Sequence, residues 1–314
     1  MTSKAETTTT TSKQSVPPPS IAPAGESHEF VTARDGTRLF LRTKSAGALE
    51  GRPTLLFCDG IVCDGFIWKY LWNAMADYPL AHFHYRGHGR SAKPADPDRI
   101  DIAAHAEDAF SVREHLGDPP CVIFGHSMGC QVALETYHLH PKKVRALVLI
   151  CGTFGNVTKT IRGVPVVDMI LPKILAMAEK NPALVRAIWS RLPTEMTLSM
   201  ALRSGDIDPE RVRREDILPY LEHVKRVDFT MFLRMLRAAG EHTSEEYLAD
   251  VKIPVLIVAG EKDTLTPPYL AQALAAALPN AELMIVPHGT HVAPLEQPDL
   301  VDEKIRSFLE TALA

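Results

Sequence analysis

The chain has 314 residues, 46% of them hydrophobic and 23% charged, enough to bury a sizeable core in one large domain or two modest ones. A formal net charge of -4 argues against a nucleic-acid partner. No apolar run reaches the length of a membrane span and no charged start precedes an apolar segment, so neither a transmembrane helix nor a standard export signal is expected.

The five cysteines, Cys58, Cys63, Cys121, Cys130 and Cys151, are an odd set without zinc-ligand spacing, and several lie inside apolar runs. They predict buried, reduced thiols and a cytoplasmic protein. Residues 1–25 are rich in Thr, Ser and Pro and cannot bury apolar area, which predicts a disordered tail.

Between residues 28 and 44 two alternating runs flank Asp35-Gly36, a favoured hairpin pair, so the fold is expected to open with two antiparallel strands. The period then changes. Short apolar or β-branched runs at 54–58, 80–85, 121–124, 144–150, 254–259 and 282–286 alternate with helical periodicity at 66–77, 102–116, 128–139, 270–278 and 298–313. This pattern predicts an α/β fold, a mostly parallel central sheet with helices on both faces. Residues 155–247 show helical periodicity alone (164–179, 183–191, 195–203, 216–224 and 229–239) and are read as a helical cap inserted between core segments 26–154 and 248–314. The first cap helix, around Val166 and Ile170, is apolar on more than one face, as the wall of a substrate pocket would be or as packing against the core would require. Pro165 and Pro172 argue against one continuous membrane-surface helix there.

At the end of the 121–124 run stands Gly125-His126-Ser127-Met128-Gly129. Gly-x-Ser-x-Gly arises by chance in roughly one chain in ten of this length. A sharp strand-to-helix turn would present the Ser127 hydroxyl as a nucleophile, and the helix start would aim the Met128 N–H at a developing oxyanion. A serine nucleophile needs a base, and the base needs an orienting carboxylate. Of thirteen histidines, His291 follows the last predicted strand in Pro287-His288-Gly289-Thr290-His291, with His288 as its local rival. Asp263 lies after the strand ending at Ala259, with Glu261 as its rival. His82 and His84 share a strand face, a spacing that can bind metal, but no third ligand cluster accompanies them.

With these stretches the chain resembles the α/β-hydrolase fold family, in particular its helical-capped serine esterase and lipase-like members. The elbow at Ser127, the acid loop at Asp263, the histidine loop at His291 and the turn Arg86-Gly87-His88-Gly89-Arg90-Ser91 appear in the family's order. The resemblance implies a second oxyanion donor in the loop after the third strand, a role that falls on Ile61. Asp59 stands there where the family usually has histidine, and a charge so placed calls for a partner, either a backbone N–H or an arginine of the Arg86 loop. His84 replaces an aspartate common in the family.

The implied chemistry is an acyl-enzyme hydrolysis of a small to medium hydrophobic ester or lactone, with no metal or other cofactor. Thioesterase, carbon-carbon hydrolase, acyltransferase, cofactor-free perhydrolase and non-catalytic small-ligand binding are the competing readings.

Overall fold

The computed structural model describes residues 22–160, 166–191, 193, 195, 196, 199, 203 and 205–314. Most of the predicted tail therefore lies outside the described residues, as do Pro165 and parts of the predicted helix 195–203. No described helix is long and apolar enough to cross a membrane.

Eight strands form one sheet in the order β1-β2-β4-β3-β5-β6-β7-β8. The opening hairpin pairs β1 (Glu26–Thr32) with β2 (Arg38–Lys44), and β2 runs antiparallel to β4 (Leu80–Phe83). From β4 onward every pairing is parallel, through β3 (Thr54–Cys58), β5 (Cys121–His126), β6 (Val144–Ile150), β7 (Val255–Gly260) and β8 (Ala281–Val286). Successive side chains of a strand point to opposite faces. Leu56, Ile123, Leu147 and Ile257 accordingly join one buried cluster, and their neighbours Leu55, Phe57, Phe124 and Val258 join another. Burial on both faces explains why these runs are continuously apolar.

On the first face lie α2 (Ile102–His115) and α3 (Met128–Leu139); Asp101 caps α2 by accepting from Ala104 N–H at 2.7 Å. The predicted helix 66–77 is broken into a 3-10 turn, Phe66–Trp68, and α1, Leu71–Ala74. Trp68 and Tyr70 bond Asp59 and Asp216, and these tertiary contacts override the helical period.

Between β6 and β7 the described elements are helical: α4 (Val157–Thr160), α5 (Val166–Lys180), α6 (Pro182–Trp189), α7 (Arg214–Val224), α8 (Phe229–Glu241) and a 3-10 turn, Glu245–Asp250. Pro172 does not divide α5; it is exposed, so water can reach the carbonyl that its missing N–H leaves unpaired. After β7 come α9 (Pro268–Ala277), α10 (Ala293–Glu296) and α11 (Pro298–Ala312). The loops after β3, β5, β6, β7 and β8 all emerge at the carboxyl edge of the parallel strands, where open α/β sheets bind ligands.

Candidate active site

Ser127 joins β5 to α3 at φ 54°, ψ -119°, a strained conformation for a side-chain-bearing residue. The flanking glycines make the bend sterically feasible. A Cβ on Gly125 would lie 2.3 Å from the Gly129 carbonyl oxygen, and one on Gly129 would lie 2.2 Å from the Cys58 carbonyl oxygen. The Ser127 N–H donates to the Ile150 carbonyl of β6 at 3.0 Å, which ties the bend to the sheet.

Three side chains from three strand ends meet here. His291 Nε2 is 3.0 Å from Ser127 Oγ, and His291 Nδ1 is 2.9 Å from Asp263 Oδ2. Asp263 also accepts from Leu265 N–H and Thr266 N–H at 2.9 Å and from the Thr266 hydroxyl at 2.8 Å. Burial alone would push the Asp263 carboxyl up, but the His291 charge and these donors hold it below its ordinary value. Burial likewise lowers His291, and the Asp263 carboxylate outweighs it, so the imidazole sits above its ordinary value. The set can move a proton from a hydroxyl to an imidazole whose cation is stabilised from behind.

The rival pair lies elsewhere. Glu261 accepts from the His288 N–H at 2.7 Å on the exposed outer side of the loops. His126 contributes in a way its motif position does not advertise: its Nε2 lies 3.0 Å from the His291 carbonyl and holds the histidine loop to the elbow.

The β3 loop lies against the serine, since a Cβ on Gly60 would be 3.1 Å from the Ser127 Cβ. Among the described residues the Ile61 and Met128 N–H groups take part in no turn or loop hydrogen bond. Met128 begins α3, where the first N–H groups lack partners within the helix.

Asp59 has a partner, but not one of those expected. Its Oδ1 accepts from the Trp68 indole at 2.7 Å and its Oδ2 from His82 Nε2 at 2.8 Å. The Arg86 guanidinium is engaged with Asp108 at 2.7 Å and Asp35 at 2.7 Å. His84 Nδ1 accepts from Arg90 N–H at 2.9 Å. Among the described residues no cluster of three or more His, Cys, Asp or Glu is placed to hold a metal ion. All five cysteines are free and buried, and Cys130 packs beneath the elbow against the Gly125 carbonyl at 3.3 Å.

A cavity of about 230 Å³ opens onto Ser127 and His291. Its wall from the helical insert is supplied by Val157, Ile207, Ile217, Tyr220, Leu236 and Ala239, with the carboxylate of Asp206 beside them. The expected wall around Val166 and Ile170 differs: Ile170 is 45% exposed and absent from the lining, and the Val166 side chain is not described. In α5 it is Leu171 and Leu175 that turn inward, and they pack on Leu233 of α8. Periodicity finds an apolar stripe without saying which element it faces.

A family model described as alpha/beta hydrolase fold matches residues 53–298. RutD of Caulobacter vibrioides, named as a candidate carbamate hydrolase, is 26% identical over 273 residues, covering 85% of this chain and 93% of its own. An esterase from Exiguobacterium antarcticum superposes with a TM-score of 0.71 at 19% identity, covering 90% of this chain and 98% of that one. The enol-lactonase from Burkholderia xenovorans LB400 gives 0.70 at 17% identity, with 90% and 100% covered.

Proposed function

This chain belongs to the α/β hydrolase fold family, and we propose that it is a serine hydrolase that cleaves a small to medium hydrophobic carboxylic ester or lactone through an acyl-enzyme. The observation that carries this reading is the hydrogen-bonded series Ser127, His291, Asp263 at the floor of a mainly apolar cavity. Ser127 Oγ attacks the carbonyl carbon while His291 Nε2 takes its proton. The N–H groups of Ile61 and Met128 hold the oxyanion. Collapse of the tetrahedral intermediate breaks the bond to the leaving oxygen, which receives the proton from His291. Water then attacks the acyl carbon with His291 again as base, and the bond to Ser127 Oγ breaks as that oxygen takes the proton back, which releases the acid. Asp263 fixes the tautomer and stabilises the imidazolium throughout.

The apolar lining and the solved esterase and lactonase that share the fold support an ester or lactone. The carbamate named for RutD is the neighbouring alternative, since it presents the same carbonyl to the same nucleophile. The test is a panel of p-nitrophenyl esters of increasing acyl length, set beside γ-lactones and a phenyl carbamate. Turnover of esters or lactones with an optimum at short to medium chains is expected, and turnover of the carbamate alone would make the protein a carbamate hydrolase instead.

A further inference from the structure

Asp59, His82 and Trp68 are all fully buried; Asp59 opens the proposed oxyanion loop, and the other two side chains pack behind it. The loop leaves β3 at Cys58, turns through Gly60 to Cys63 and enters the short helix that carries Trp68. The Asp59 carboxylate reaches across this turn to the Trp68 indole at 2.7 Å, closing the loop at its two ends, and it reaches sideways to His82 of β4 at 2.8 Å. Behind His82, Arg42 Nε lies 3.1 Å from Nδ1. A guanidinium can only donate, so Nδ1 is the acceptor, the ring proton is on Nε2, and His82 donates to Asp59. The loop thus held is a strained one. Val62, a β-branched residue, sits at φ 52°, a conformation that persists only where the surroundings impose it.

We propose that Asp59 is a positioning residue for the oxyanion site, a buried staple from β3 to Trp68 and His82 that holds the Ile61 N–H toward Ser127. This rests on the serine-hydrolase reading. A negative charge there is tolerable so near an oxyanion for two reasons: burial raises the carboxyl, and in its ionised form two donors face it with Arg42 behind one of them. Burial supports the arrangement by keeping His82 neutral, as the donor geometry requires.

The test compares Asp59→Asn, His82→Leu, His82→Gln and Trp68→Phe in the full chain, with active serine counted by fluorophosphonate titration. Asp59→Asn and His82→Leu are expected to lower kcat per titrated serine by about 10- to 100-fold with KM within about twofold, because the lost interaction matters most in the transition state. His82→Gln, whose amide can still donate to Asp59, is expected to recover most of that loss. Trp68→Phe removes one donor and serves if Asp59→Asn does not fold. A purely structural role would lower the melting temperature and leave kcat per titrated serine at the wild-type value, and that result overturns the proposal. If the wild-type protein forms no adduct at Ser127, the serine-hydrolase reading falls first and this one with it.

Discussion

Two buried pairs of histidine and aspartate flank Ser127, and they are electrostatic opposites. In His291–Asp263 the acid is held below its ordinary value and the imidazole above it. In His82–Asp59 burial pushes the acid up to about 7, against the opposing Trp68 bond, and drives the imidazole well below its ordinary value. The difference lies in what surrounds each pair. Asp263 accepts from two backbone N–H groups and the Thr266 hydroxyl besides His291, whereas Asp59 has the indole and His82. The far nitrogen of His291 faces a hydroxyl it can deprotonate, while that of His82 faces a guanidinium that already occupies it. The same residue pair is therefore suited to serve as a base in one setting and as a neutral anchor in the other.

The largest effects should come from the first pair and the serine it faces. Ser127→Ala or His291→Ala is expected to lower kcat by about 10⁶-fold, with the double variant no worse than either single one. Steady-state rates on a p-nitrophenyl ester check this, and additive losses would show that the two do not act as a unit. Asp263→Asn should cost about 10⁴-fold by presenting the wrong tautomer.

The pH profile separates the pairs further. A base must be deprotonated to act, and its raised pKa means that activity is lost as pH falls through a value above 6.5. In Asp263→Asn this limb should move to lower pH, because the charge that raises His291 is gone; an unmoved limb would detach the limb from this pair.

Gly129→Ala probes where the two regions touch. Its Cβ would meet the Cys58 carbonyl oxygen at 2.2 Å and the Asp59 carbonyl oxygen at 2.6 Å. Overpacking against backbone should destabilise the fold by about 1–3 kcal/mol in urea titrations.

How legible each feature was depends on how local its cause is. Ser127, Asp263 and His291 each follow an apolar run, so a reading of strand ends was enough to single them out, and the structure brings the three together. The need for a partner at Asp59 was also legible, from its charge together with the place that the family resemblance gives its loop. The partner's identity was not, because Trp68, nine residues on, meets it only through the turn of the loop, and His82, 23 residues on, only through the pairing of β3 with β4. The expected Arg86 instead faces Asp108 on α2, a contact set by the packing of that helix. His126 occupies the variable position of the Gly-x-Ser-x-Gly pattern, which marks no role for it; only its place beside Ser127 puts it within reach of the histidine loop. The helical insert was readable as helices but not as a surface. Leu236 and Ala239 line the cavity from α8 while Met169 of α5 is 70% exposed, a choice made by helix orientation rather than by composition.

The most direct measurement is intact-protein and peptide mass spectrometry after fluorophosphonate treatment of the wild-type chain and Ser127→Ala. A single adduct is expected, mapped to Ser127 and lost in the variant. Folded wild-type protein that forms no adduct, or forms one that survives Ser127→Ala, would contradict the serine-hydrolase reading.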